Sequence, residues 1–201
     1  GIARRGMRRV PDLDLYHAGC RAPFIASVLN NEAAPMPWVS LIPSMHALPD
    51  SSLSHMIQIL GDELASSLVF GAASDGLDVP TTVAALEACT KENEPYVLLT
   101  TSFALMMLLD ATRDLPKAPK GSRMMLTGGF KGRTRSVNED DLLGMIQTRL
   151  GFEAANIVGE YGMTELSSQA YGKPFQSPPW LRMRVVDPTH LQDVAAGQQG
   201  L

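Results

Sequence analysis

An α/β fold, with a mostly parallel sheet flanked by helices, is what this 201-residue sequence predicts. Two observations predict it. Short β-type runs alternate with helix-period segments along most of the chain. The central run Tyr96-Val97-Leu98-Leu99-Thr100 is nearly all apolar, as in a strand covered on both faces.

A first helix is predicted over 16–29, with Tyr16, Phe24, Ile25 and Val28 as its apolar set, and the run Ala34-Pro35-Met36-Pro37 stops it. Residues 38–42 read as a strand ended by Pro43. Asp50, Ser51 and Ser52 can each cap a second helix, in which Leu53, Met56, Ile57, Leu60 and Leu64 recur with a period of about 3.6. Leu68-Val69-Phe70 is a short buried strand, and Gly71 and Gly76 mark the loop after it. Pro80 suits the first position of a third helix reaching Glu92. After the central run come a helix over 102–113 and a strand over 123–127 that enters Gly128-Gly129. Asn138 caps a further helix whose first turn carries Glu139, Asp140 and Asp141 at the positive end of the helix dipole, and Gly151 ends it. Ile157-Val158-Gly159 and residues 182–186 are the last predicted strands.

Composition bounds the function classes. Hydrophobic residues make up 45% and charged residues 19%, enough apolar content for a packed core and too much for a disordered chain. The net charge of -4 argues against nucleic acid as a partner. No stretch reaches the roughly 18 apolar residues of a membrane span. The longest candidate, 96–109, is interrupted by Thr100, Thr101 and Ser102 and stops at Asp110. With no secretory pattern at the start, a cytoplasmic location is expected. Cys20 and Cys89 supply neither a disulfide framework nor metal-ligand spacing. Arg4, Arg5, Arg8 and Arg9 mark residues 1–12 as a basic N-terminal arm, expected to be flexible, ahead of one α/β unit over 13–201.

In a parallel sheet the ligand lies beyond the carboxyl ends of the strands. That directs attention to residues 100–103, 127–135 and 160–168. In the second, Gly128 and Gly129 permit close backbone approach, while Lys131, Arg133 and Arg135 suit phosphate or carboxylate. The Walker spacing is absent, and an ordinary surface turn fits as well. In the third, Tyr161, Thr164 and Glu165 can stack on a base, donate to a phosphate and hold Mg²⁺. The competing reading is a strand end and a helix capped by Thr164, with Glu165 in solvent.

The wording Tyr161-Gly162-Met163-Thr164-Glu165 resembles the Y-G-x-T-E signature of adenylate-forming enzymes. Four more segments resemble the acyl-protein synthetase (LuxE-type) family of bacterial bioluminescence within that superfamily: Pro49-Asp50-Ser51-Ser52-Leu53-Ser54, Thr101-Ser102-Phe103-Ala104-Leu105, Thr127-Gly128-Gly129-Phe130-Lys131-Gly132-Arg133 and Pro178-Pro179-Trp180-Leu181-Arg182. Gln169 extends the signature segment in the same sense. The resemblance implies the large N-terminal domain of an adenylate-forming enzyme and ATP-dependent activation of a fatty acid. The acyl-adenylate would pass its acyl group to a protein cysteine and onward to a partner such as an acyl reductase.

It also implies residue roles. Tyr161 stacks on adenine, with Gly162 in the same signature. Thr164 donates to the α-phosphate and Glu165 coordinates Mg²⁺, the two forming the catalytic pair. Gly128 and Gly129 lie along the nucleotide or the acyl group. Ser102, Phe103 and Ala104 wall the acyl pocket or pack in the core, and His55 approaches the substrate carboxylate or is a plain helix-face histidine. Lys131, Arg133 and Arg135 contact phosphate or pair with the acids from Glu139 to Asp141. His17, His46 and His190 show no partner spacing.

Departures from the pattern accompany the matches. The superfamily's Ser/Thr/Gly-rich phosphate loop is missing, as are the small C-terminal domain with its lysine and the acyl-accepting cysteine. The 201 residues are therefore expected to be an incomplete piece with little ligase activity alone. Two further readings stand beside the acyl-protein one: a phenylacetate-type acyl-CoA ligase, and a non-catalytic binding or assembly module that keeps the fold.

Overall fold

The computed structural model describes residues 9–32, 34–128, 138–163 and 166–201. Six strands form one sheet in the order β2-β1-β5-β6-β7-β8. They are β1 (Pro37–Ser40), β2 (Ser67–Phe70), β5 (Val97–Thr101), β6 (Arg123–Thr127), β7 (Ile157–Met163) and β8 (Ser168–Tyr171). Every pairing is parallel except β7 with β8. The predicted α/β architecture with a mostly parallel sheet is what the chain adopts. A two-stranded ribbon, β3 (Ala72–Ala73) with β4 (Gly76–Leu77), fills the loop marked by Gly71 and Gly76.

The helices are α1 (Leu13–Ser27), α2 (Ser52–Leu64), α3 (Val79–Lys91), α4 (Ser102–Ala111) and α5 (Glu139–Met145). Each begins where a side-chain oxygen meets an orphan N–H: Asp12, Ser51, Asp78, Thr101 and Asn138 are the caps. The first helix starts three residues before the predicted position, because Asp12 caps it. Its end comes from Asn30 and Asn31, with φ of 52° and 59°, ahead of the proline run. Pro80 is the second residue of α3, after Asp78 and Val79. α5 widens into a π-helical turn, Ile146–Leu150, closed by Gly151 at φ 79°.

Strand alternation sorts the core into two layers. Val97, Leu99 and Met125 face α1 and α2, packing with Phe24, Trp38, Met56, Ile57 and Leu60. Leu98 and Met124 face the other way, onto Leu86, Leu105, Leu108, Leu142 and Ile146 from α3 to α5 and its π turn. The continuous apolar runs thus serve two faces, as expected of interior parallel strands.

Two sequence expectations are corrected. Residues 182–186 are not a strand: Val186 makes a lone bridge to Asp193, and its backbone exchanges hydrogen bonds with Leu201. Met183 and Val185 are exposed, so no core face holds this segment to the sheet. The stretch after Gly159 is not a loop at first. β7 continues through Tyr161 and Gly162 to Met163 because β8 turns back along it, Gly162 opposite Gln169 and Met163 opposite Ser168.

Candidate functional site

The chain runs from β1 to β2 on one side and then crosses to β5, β6 and β7 on the other, which makes a topological switch point between β1 and β5. Around it the carboxyl ends of the parallel strands carry the residues singled out by the sequence. Thr101 ends β5, and its side chain accepts from the Ala104 N–H to start α4. Ser102, the first residue of that helix, is buried, and its hydroxyl donates to the Gly128 carbonyl at 2.8 Å. Gly128 itself sits at φ 69°, left-handed backbone that favours glycine, with open space where a Cβ would be. Phe103 is 37% exposed and Ala104 half-buried on the first turn of α4.

One strand further, Thr127 and Glu160 stand opposite each other in register, and the Thr127 hydroxyl donates to Glu160 Oε2. Glu160 is only 6% exposed. Burial raises its carboxyl above the usual range, and the hydrogen bond from Thr127 works against that rise. The next residue, Tyr161, points to the opposite face and is 39% exposed, its ring 5.6 Å from that of Phe175. Gly162 is exposed, yet a Cβ there would lie 2.4 Å from Glu160 Oε1 and 3.3 Å from Gln169 Cγ. A side chain at this position would require the Glu160 carboxylate to shift.

A second group gathers where α1 crosses the first turn of α2 and the β7–β8 hairpin. His55 meets His17 head to head, Nε2 to Nε2 at 3.0 Å with ring centroids 5.2 Å apart. Only one of the two nitrogens can carry the proton between them. Burial lowers the His55 pKa, and the His17 ring lowers it further. Tyr16 lies 6.0 Å from the His55 ring and donates to the Ser52 carbonyl. Burial pushes the Cys20 thiol up to about 11, while Tyr16 and Gln169 beside it pull the other way. Gln169 Oε1 is buried and has no hydrogen-bond partner among the described residues.

The structure therefore brings Ser102 to Gly128 and places Tyr161 and Gly162 on the adjoining strand. His55 lies on the first turn of α2 beside Tyr16 and His17 of α1 and is not among them. Gly129, Lys131, Arg133, Arg135, Thr164 and Glu165 lie outside the described residues. Lys173 pairs with Glu139 at 3.0 Å, so one acid considered for the basic loop has another partner. Three neighbours of the site, Glu160, Thr127 and His17, carried no assigned role in the sequence. The alternation of β7 would have flagged Glu160 as inward-facing had the strand been extended to Met163. His17 and His55 are 38 residues apart, and no local spacing announces their contact. A separate cleft of about 340 Å³, lined by Arg21, Glu32, Met36, Trp38 and others, opens near Met36, at the amino end of β1 and so at the other edge of the sheet.

A three-layer α/β unit with a glycine turn and a tyrosine-bearing strand end at its carboxyl edge is the class of architecture this chain defines. Solved structures share its fold. Over 92% of this chain, o-succinylbenzoate CoA synthetase (MenE) from Bacillus subtilis, in complex with the acyl-adenylate intermediate OSB-AMP, is similar at 16% identity and a TM-score of 0.59. A double mutant of that synthetase, bound with its product analogue OSB-NCoA, gives 0.57 at the same identity. A long-chain-fatty-acid-CoA ligase (FadD1) from Archaeoglobus fulgidus gives 0.55 at 13% identity over 91% of this chain. The chain has the fold of part of these enzymes and spans 34% to 36% of their length. No protein-family model matches the sequence, and no curated protein matches it. Among the described residues no helix is long and apolar enough to cross a membrane.

Proposed function

We propose that this chain is the nucleotide- and acid-binding part of an ATP-dependent ligase that converts a carboxylic acid to its acyl-adenylate. The observation that carries the reading is the convergence of Ser102, Gly128, Tyr161 and Gly162 at the carboxyl edge of a mostly parallel sheet, in a fold shared with a synthetase whose structure holds an acyl-adenylate. In this reading Tyr161 stacks on adenine, and the Gly128-Gly129 turn lies along the nucleotide. Thr164 donates to the α-phosphate and Glu165 holds Mg²⁺ as the catalytic pair. Phe103 and Ala104 border the acyl group, with Ser102 holding the glycine turn, and His55 approaches the carboxylate.

The chemistry asks little covalent help of the protein. A carboxylate oxygen attacks the α-phosphorus of ATP and pyrophosphate leaves, so positioning and charge neutralisation carry the rate. Glycine backbone, hydroxyl donors and one carboxylate for Mg²⁺ are the groups that step needs. The motif order further supports a long-chain fatty acid as substrate and a protein cysteine as acceptor, with an acyl reductase as partner. The CoA synthetases among the similar structures favour coenzyme A as the alternative acceptor.

Calorimetric titration of Mg-ATP into this chain tests the reading. One-to-one binding is expected, weakened about tenfold or more by Tyr161→Ala, which removes a stacking partner. Absence of binding to the wild-type chain refutes it. Mass spectrometry of the acylated product formed by the full ligase decides between protein cysteine and CoA.

A further inference from the structure

Glu160 is an acid that the proposed chemistry does not use, and its two carboxylate oxygens have distinct places. One oxygen accepts from Thr127 on the neighbouring strand. The other reaches along β7 to within 2.4 Å of where a Gly162 side chain would begin. From the helix side Tyr16 and Cys20 of α1 lie within its electrostatic reach, as does Tyr171 of β8. A carboxyl group this deeply buried costs stability that an apolar side chain would not. Its geometry explains what is obtained in exchange.

Thr127 immediately precedes Gly128, and the Gly128 carbonyl accepts from Ser102. Two hydrogen bonds joined through the Thr127–Gly128 backbone thus cross the sheet edge from Glu160 on β7 to the glycine turn and on to the start of α4. Tyr161 follows Glu160 directly and projects from the opposite face, so the anchor that fixes one residue fixes the other. Gly162 clears the room that the anchor needs.

We propose that Glu160 is a positioning residue: with one oxygen on Thr127 and the other over Gly162, it sets the spacing between the glycine turn and the tyrosine-bearing end of β7. Its geometric part stands alone, whereas its importance for a nucleotide rests on the proposed function. Misplacing such groups by a fraction of the ligand contact distance is enough to cost affinity and rate.

The experiment compares Glu160→Ala, Thr127→Val and Glu160→Gln with the wild type, using amide hydrogen exchange over 157–163 without nucleotide and calorimetry with Mg-ATP. Alanine and valine variants are expected to exchange faster in this strand and to bind Mg-ATP about tenfold more weakly. The glutamine amide oxygen still accepts from Thr127, so Glu160→Gln is expected to restore both readouts. Should Glu160→Ala fail to fold, Thr127→Val carries the comparison with near-identical shape. Unchanged exchange and affinity in the alanine and valine variants overturn the proposal, as does a glutamine variant no better than alanine. If the wild type itself does not bind Mg-ATP, the nucleotide reading falls, and the exchange data alone decide whether Glu160 sets the strand ends.

Discussion

At the scale of single residues, the buried acid and the histidine pair make the sharpest predictions. Gly162→Ala puts a methyl group 2.4 Å from Glu160 Oε1, so the carboxylate must shift, which strains its hydrogen bond from Thr127. A loss of about 1–2 kcal/mol is expected in urea unfolding. Burial raises the folded-state pKa of Glu160, so the unfolded chain ionises first as the pH climbs. The wild type therefore loses stability as pH rises from the ordinary carboxylate value through the raised one, and Glu160→Gln is expected to be flat across that window. His55 runs the other way. Its folded-state pKa is lowered, so the unfolded chain binds the proton first and stability falls as pH drops below the ordinary imidazole value. His55→Gln should remove that slope in pH-dependent melting curves. Neither titration was legible in the sequence. Glu160 stood in the segment, yet its inward side is fixed only by the strand continuing past Gly159, and His17 meets His55 only once α1 and α2 are packed.

At the scale of elements, local signals fared well where the chain decides its own structure. Apolar periods, with Pro80 and the caps read at Ser51 and Asn138, located the five α-helices of the described residues, whereas the first-turn acceptors Asp12, Asp78 and Thr101 emerge only from the structure, which is why α1 begins earlier than its apolar period suggests. Thr101 is the cap that matters most here. Thr101→Ala is expected to cost about 1 kcal/mol in thermal unfolding and to loosen Ser102 from the Gly128 carbonyl, seen as faster exchange at the α4 amides. Strands depended on partners the sequence does not show. β7 reached Met163 because β8 returned alongside it, whereas residues 182–186, with equally strand-like composition, found no sheet neighbour. β-propensity reports a fit to a pleated, half-buried surface, and only the assembled sheet provides that surface.

At the scale of the whole molecule, the alternation of strands and helices fixed the architecture, and the switch point followed from the strand order. The similar synthetases share that fold at 13% to 16% identity, so the fold is common ground and the chemistry rests on the site. Several of its assigned residues, Thr164 and Glu165 foremost, were readable only as a motif. Photoaffinity labelling with azido-ATP and Mg²⁺, followed by peptide mapping, tests the central claim most directly. Label suppressed by excess ATP is expected on the peptides that carry Gly128 and Tyr161, at the carboxyl edge of the sheet. Label confined to the cleft between Arg21 and Trp38, or label that excess ATP leaves untouched, would contradict a nucleotide site at that edge.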